Sequence, residues 1–173
     1  MPAEAAAILA AGLVAHVGFS IDGQPLVLPM TYQFDPEEPD RLFLHGAKGS
    51  RLLQRVGEGV PVCVTVTLAD GLVYSKSAKY HSMNYRSVVC FGRARPVEND
   101  ADKQRVFEAM TARYFQGRTA GRDYAHADAG ELRGTALLEL ALEETSAKAR
   151  RGGPAGPHDD DESALGTCGV VLL

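Results

Sequence analysis

The 173-residue sequence contains no tryptophan and only three cysteines, none of which form the C-x-x-C spacing of zinc or redox sites. A chain of this length can bury a stable hydrophobic core without disulfide bonds, so no disulfide framework is predicted. The apolar N-terminal stretch carries Glu4 and reaches His16, short of the roughly 20 residues that span a bilayer. We therefore expect a cytoplasmic protein without signal peptide or membrane anchor.

The chain also lacks an excess of basic residues and the glycine-rich signatures of nucleotide-binding folds. Its formal charge of −4, from 18 Lys and Arg against 22 Asp and Glu, disfavours a nucleic-acid partner bound through bulk charge. Neither G-x-G-x-x-G nor G-x-x-x-x-G-K-[ST] occurs, which argues against Rossmann and P-loop sites. The five histidines show no metal-ligand spacing, so we predict no metal site and assign no catalytic side chain.

The hydrophobic pattern changes from helical to alternating near residue 14. An alanine-rich stretch predicts a helix over 3–11, with Gly12 as its stop. Asp22-Gly23 and Asp70-Gly71 each predict a tight turn between two alternating runs, and therefore a hairpin. The predicted strands are 14–21, 26–34, 41–45, 60–68, 72–78, 88–97 and 135–150, with a further short strand at the C-terminal GVVLL, and helices are predicted at 50–56 and 102–115.

Sequential hairpins with a few short helices indicate a mainly β domain, an antiparallel barrel with peripheral α-helices rather than a parallel α/β sheet. We expect one domain over 1–173, with 117–134 loop-like and 152–163 an exposed loop. Pro29 cannot donate to a sheet ladder, so its strand is predicted to be an edge strand or to be bulged there.

Basic residues are concentrated in one third of the chain. Residues 41–97 contain nine Lys and Arg against two acidic residues, a window of +7 inside a −4 protein. Such segregation suits a localised anionic ligand, although solvated strand residues would give the same pattern. The segment Lys48-Gly49-Ser50-Arg51 follows a strand and opens a helix, where amides, Lys and Arg could hold a phosphate. Ser50 could equally be a plain helix cap.

A second polar cluster runs from His81 to Ser87, and it completes a series of motifs that is recognisable. In order, these are HVGF, DGQPLVLPMTYQF, LFLHGAKGSRLL, PVCVTVTLADGLV and HSMNYRSVVCFGRA, over residues 5–98, with a fainter likeness in SAKARRGGP and GVVLL. The sequence resembles the flavin-nucleotide-binding relatives of pyridoxamine 5′-phosphate oxidase, the branch that includes the nitroimidazole-resistance proteins. The resemblance implies a Greek-key-like FMN-binding split barrel that forms a homodimer, with each flavin in a groove between subunits.

The resemblance also implies a set of cofactor-binding residues. Backbone groups of Pro29, Met30, Thr31 and Tyr32 would run beside the isoalloxazine ring. The ribityl phosphate would be held by His45, Gly46, Ala47, Lys48, Ser50 and Arg51. The pocket would be completed by Ser82, Asn84, Tyr85 and Arg86, with an ion-paired Arg86 as the alternative.

The implied function is that of an FMN-dependent oxidoreductase acting on a small molecule, with NAD(P)H as a possible electron donor. A non-enzymatic protein that binds or senses flavin or haem is the alternative. Pyridoxamine 5′-phosphate oxidase activity itself is less expected, because the C-terminal GTCGVVLL lacks the Arg/His substrate motif of those enzymes. Relatives often carry an aromatic residue, commonly Trp, where Cys168 stands here, which leaves the substrate open.

Overall fold

The computed structural model describes all 173 residues and confirms a mainly antiparallel β fold with peripheral helices. No helix is both long and apolar enough to cross a membrane. The helices are α1 Ala3–Ala11, α2 Arg51–Gly57, α3 Asp100–Tyr114 and α4 Ala129–Gly134, with a 3-10 turn at Ala78–Tyr80. The strands are β1 Ala15–Ile21, β2 Gln24–Met30, β3 Tyr32–Phe34, β4 Arg41–Ala47, β5 Pro61–Tyr74, β6 Ser82–Pro96, β7 Thr135–Arg150 and β8 Gly169–Leu172.

All eight strands belong to one open sheet in the order β2-β1-β5-β6-β7-β4-β3, with β8 paired to β5. The β1–β2 hairpin turns at Asp22 and Gly23, which have φ values of 50° and 81°, as predicted from the Asp-Gly pair. Strand β2 pairs only with β1, so Pro29 lies on an edge strand, where its missing N–H interrupts no inner ladder.

The inner face of the sheet packs around α1. Twenty buried residues form this main core, among them Ile8 and Leu9 of α1, Val64 of β5 and Leu140 of β7. A smaller cluster under α3 joins Phe43, Val106, Met110 and Leu137 to the outer side of β4 and β7. Helix α3 therefore lies on the opposite side of β4 from the main core.

Four sequence predictions were wrong. The run 26–34 is not one strand but breaks at Thr31 into β2, which pairs with β1, and β3, which pairs with β4 at the other end of the sheet order. Strand β5 runs through Asp70-Gly71 with only a register shift, because β6 continues the pairing on both sides of it, so there is no second hairpin. Strand β6 begins at Ser82, within the segment expected to be a polar loop. Helix α4 lies in the region expected to be loop-like, and a capping box between Asp128 and Glu131 starts it.

Gly12 ends α1, as predicted, but the reason for a glycine is space rather than backbone conformation. Its φ of −72° is open to any residue. A Cβ at this position would lie 2.3 Å from Cγ1 of Val66 and 2.8 Å from the Tyr32 hydroxyl oxygen. The chain thus needs a glycine here so that α1 can pack closely on β3 and β5.

The guanidinium of Arg113 joins α1, β3 and α3. It donates to the carbonyl oxygens of Leu9 at 2.7 Å, Gly12 at 2.5 Å and Tyr32 at 2.9 Å. Its centre lies 4.4 Å from the centroid of the Tyr32 ring. Tyr32 itself is fully buried, its hydroxyl donates to the Leu9 carbonyl at 2.7 Å, and burial raises its pKa. A single cation thus caps the C-terminus of α1 and holds α3 against the barrel.

The segment between β7 and β8 is irregular but attached to the barrel at Asp159. The carboxylate accepts hydrogen bonds from the Ser75 hydroxyl at 2.9 Å and from the amides of Lys76 at 2.7 Å and Gly156 at 2.6 Å. Burial would raise the pKa of Asp159, but these hydrogen bonds hold it below its ordinary value. The predicted exposed loop 152–163 is therefore docked, and hydrogen bonds from Lys76 to the Asp161 carbonyl and from Asn84 to the Gly152 carbonyl also hold it.

We predict that Arg113→Ala lowers the free energy of unfolding by about 2–4 kcal/mol, since it leaves several carbonyl groups of α1 and β3 without a charged donor. Denaturant unfolding measures the change. Arg105→Ala, on the same helix but with an exposed guanidinium, is the control and should change the free energy by only roughly 0.5 kcal/mol. Equal effects of the two substitutions would contradict a joining role for Arg113.

Candidate functional site

Lys48 and Arg51 lie at the junction of β4 and α2. The chain turns there because the amide of Lys48 donates to the Gly134 carbonyl at 2.9 Å and the Gln54 side chain donates to the Lys48 carbonyl at 3.2 Å. Ser50 is the N-cap of α2, and its hydroxyl oxygen accepts from the Leu53 amide at 3.4 Å. Both cationic side chains are exposed. The capping role of Ser50 is the alternative that the sequence left open.

These two cations differ from the other basic residues of the +7 window. Five arginines of that window pair with carboxylates, namely Arg41 with Glu38 and Glu139, Arg55 with Glu58, Arg86 with Asp70, Arg93 with Glu143 and Arg95 with Glu139. The Lys76 ammonium donates to the Asp161 carbonyl at 2.6 Å. Lys48, Arg51 and Lys79 form no ion pair, and two of these three are neighbours at the β4–α2 junction.

The two cations face cavities on different sides of α2. Arg51 lines a cavity of about 670 Å³ between the β1–β2 turn and α2. Lys48 lines a smaller cavity of about 160 Å³ between α2, α3 and β7. Gln54, which sequence reasoning missed, lines both, so the two cavities adjoin at that side chain. Its position at the fourth residue of a short helix gave no sequence signal.

The four residues of segment 29–32 differ in how available they are to a ligand. Pro29 and Met30 end the edge strand β2, opposite His16 and Ala15. Thr31 lies between β2 and β3 and lines a cavity of about 340 Å³ that His45 also lines. Tyr32 has a structural role: its side chain is buried, and its amide donates to the Tyr114 hydroxyl at 3.1 Å while its carbonyl accepts from Arg113. Of the four, Tyr32 is therefore the least available to a ligand.

His45 lies beneath α3, between that cavity and a larger one of about 530 Å³. Its Nδ1 atom is buried and has no hydrogen-bond partner. Burial lowers its pKa, which favours the neutral imidazole, whose one unprotonated ring nitrogen can act as a ligand. The ring of Phe107 packs edge-on against it, with centroids 6.0 Å apart. Neither cavity is lined by Lys48 or Arg51, so His45 is separated from the predicted phosphate residues.

The remaining predicted residues lie at the start of β6. The carboxamide of Asn84 donates to the Gly152 carbonyl at 2.9 Å and accepts from Arg150 at 2.6 Å. The guanidinium of Arg86 donates to both carboxylate oxygens of Asp70, at 2.9 and 2.6 Å, which holds the pKa of that carboxyl below its ordinary value. The ion-paired alternative for Arg86 is thus the one observed. Ser82 and Tyr85 are half-buried.

Within one chain, the predicted residues at the β4–α2 junction lie far from the predicted residues at the start of β6. Ala47, with Gly46 at the end of β4, pairs with Thr135 at the start of β7, whereas Arg86 pairs with Ala149 near its end. At roughly 3.3 Å per residue, the two positions lie about 45 Å apart along β7. The β4–α2 junction and the start of β6 are therefore far apart along this strand.

The cysteines offer no reactive thiolate. All three are free, and burial raises the pKa of Cys63 and raises that of Cys90 to about 12. The Cys168 thiol donates to the Asp159 carbonyl at 3.3 Å, beside the docked loop. No group of three or more His, Cys, Asp or Glu side chains is close enough to hold a metal ion.

Comparison with known proteins gives consistent matches. The family model described as pyridoxamine 5′-phosphate oxidase matches residues 2–149. A search of curated proteins finds no match. Among solved structures, the FAD and heme binding protein from Mycobacterium smegmatis has 33% sequence identity and a TM-score of 0.84, over 97% of this chain and 80% of that one.

Two further structures extend the comparison. The flavocytochrome Anf3 from Azotobacter vinelandii has 30% identity and a TM-score of 0.83, over 98% of this chain and 76% of that one. A candidate 5-nitroimidazole antibiotic resistance protein from Bacteroides thetaiotaomicron has 22% identity and a TM-score of 0.66, over 84% and 81% of the two chains, and shares the fold. The family-model match and the two more similar structures show that this chain belongs to the pyridoxamine 5′-phosphate oxidase family.

Proposed function

We propose that this protein binds a flavin nucleotide and uses it to transfer electrons to or from a small molecule. The observation that carries the proposal is the pair of unpaired cations, Lys48 and Arg51, at the β4–α2 junction of a fold whose similar structures bind flavin. A phosphate group is a suitable partner for either cation, because Arg binds phosphate oxygens through two N–H groups and Lys provides a point charge.

The bound flavin would supply the redox chemistry, and the chain would bind it and orient it. The cavity beside Arg51 is open to solvent and has the larger volume of the two that border α2. Backbone groups on the edge strand β2, near Pro29, are free of a further strand and so accessible to the polar edge of a ring. The raised thiol pKa values argue against a cysteine nucleophile at this site.

The identity of the nucleotide stays a prediction. The sequence motifs predict FMN, whereas the Mycobacterium smegmatis relative is described as binding FAD. Chromatography of the nucleotide released by heat from the purified protein distinguishes FMN from FAD directly. Cytoplasmic location and use of NAD(P)H as electron donor likewise stay predictions, and oxidation of NAD(P)H by the flavin-loaded protein tests the latter.

We predict that Arg51→Ala weakens binding of the flavin nucleotide about tenfold or more, the loss expected for one hydrogen bond between charged groups. Flavin fluorescence titration measures the affinity. Lys79→Ala removes the same charge from another unpaired cation of the window, away from the junction, and should leave the affinity unchanged. If the two substitutions have equal effects, the phosphate is not bound at Arg51.

We also propose that the protein acts as a homodimer whose two chains together form the flavin site. The separation of the two groups of predicted residues along β7 supports this arrangement. The outer face of β5 and β6 supports it too, because Cys63, Val89 and the 47% exposed Phe91 are uncharged where a solvent-facing strand is usually polar. An apolar sheet face of this kind suits a second copy of the chain.

Phe91→Glu is predicted to convert the dimer to monomer and to reduce flavin affinity, because a carboxylate would have to be buried in the interface. Size-exclusion chromatography with light scattering measures the mass. Leu165→Glu, at a 96% exposed loop residue, is the control and should stay dimeric. A monomeric unsubstituted protein with full flavin affinity would contradict the two-chain site.

Haem binding is a second candidate function, favoured by the buried, unpartnered Nδ1 of His45. The two structures that are 33% and 30% identical to this chain are described as a heme binding protein and a flavocytochrome. Cavities of about 530 and 340 Å³ border His45, and Phe107 and Thr111 line both. His45, with its neutral imidazole, is the residue that would bind the haem iron.

If His45 is that ligand, His45→Ala abolishes the haem absorption band after reconstitution and leaves the flavin content unchanged. His16→Ala, which removes an exposed imidazole from β1, is the control and should retain haem. Equal haem uptake by both variants would exclude His45 as a ligand.

A further inference from the structure

Lys103 is one of only two polar residues that are buried, with 6% of its surface exposed. It lies in the first turn and a half of α3 and lines the cavity between α2, α3 and β7. No carboxylate lies within ion-pair distance of its ammonium group. The chain thus encloses a positive charge without an opposing one.

The ammonium group has a single hydrogen-bond partner, the Leu132 carbonyl oxygen at 3.3 Å. That carbonyl belongs to α4, so Lys103 helps to fasten α4 to α3. A lysine ammonium carries three N–H donors, and this contact is long and uses one of them. Because a buried, unpaired charge is costly, the remaining donors call for an acceptor that the chain does not provide.

Lys103 lines the cavity of about 160 Å³ that Lys48 also lines. A cavity of about 150 Å³ holds a benzene ring, so this one has room for a phosphate group but not for a flavin ring system. Glu98 is the one acidic residue in its wall, and it is exposed. Asp100 and Asp102 lie in the neighbouring first turn of α3 outside the lining, and Asp102 faces Arg105 at 3.9 Å. The wall therefore carries two ammonium groups against one carboxylate.

We propose that this cavity is a phosphate-binding site in which Lys103 and Lys48 together neutralise the bound anion. It is separate from the cavity that Arg51 lines, and Gln54 lies between the two. The phosphate comes either from the flavin nucleotide or from a second, independently bound phosphorylated molecule. The site shares Lys48 with the proposed flavin function, but binding of free phosphate without flavin tests it separately.

Isothermal titration of the full-length protein with inorganic phosphate tests the site, first without added flavin and then after saturation with riboflavin or FMN. Lys103→Met and Lys48→Met are each expected to weaken phosphate binding about tenfold or more. Glu98→Gln removes the opposing carboxylate and should strengthen it. Lys48→Met keeps the test valid if Lys103→Met fails to fold, because Lys48 is exposed.

The titrations in the presence of riboflavin or FMN identify the source of the phosphate. Competition by FMN but not by riboflavin supports the site and assigns it to the nucleotide phosphate. Phosphate binding that persists with FMN bound supports the site and assigns it to a second molecule. Absence of phosphate binding under all three conditions, or affinities unchanged by both lysine substitutions, would overturn the proposal whether or not flavin binds.

Discussion

The position of α3 is the constraint on which the rest of the structure depends, and Arg113 sets it. Its guanidinium bridges the C-terminal carbonyls of α1 and the backbone of β3, while Tyr32 packs against its flat face. Helix α3 is thereby held across the outer side of β4. It supplies the walls of the cavities around His45 and places Lys103 beside Lys48. A cation acting on backbone carbonyls thus helps to shape three cavities that α3 lines.

Ion pairing then decides which basic residues remain available to a ligand. Most arginines of the basic window are matched by carboxylates on neighbouring strands or loops, Glu139 alone serving two of them. Apart from Lys79, the basic residues left without any partner are Lys48 and Arg51 at the β4–α2 junction, and the second group of predicted residues lies far along β7. Both the proposed anion site and the proposed two-chain arrangement rest on this strand arrangement.

Much of the fold could be predicted from the sequence, because periodicity and turn residues are local signals. The bounds of α1, the Asp22-Gly23 hairpin and the long strand β7 were all predicted, whereas the Asp70-Gly71 turn failed, since pairing with β6 overrides it. The candidate site was less predictable. Whether Arg86 meets Asp70 or a ligand, and whether Lys103 is buried, depends on long-range packing that no local pattern records. Asp128 and Glu131 have the spacing of a capping box, and this sequence signal would have predicted the start of α4.

The absorption spectrum of the purified protein, before and after addition of FMN or FAD, tests the central claim most directly. A flavin nucleotide at the unpaired cations predicts the yellow flavin bands in the protein fraction, either as purified or after reconstitution, and retention of those bands through gel filtration. A colourless protein that retains neither nucleotide would contradict the account.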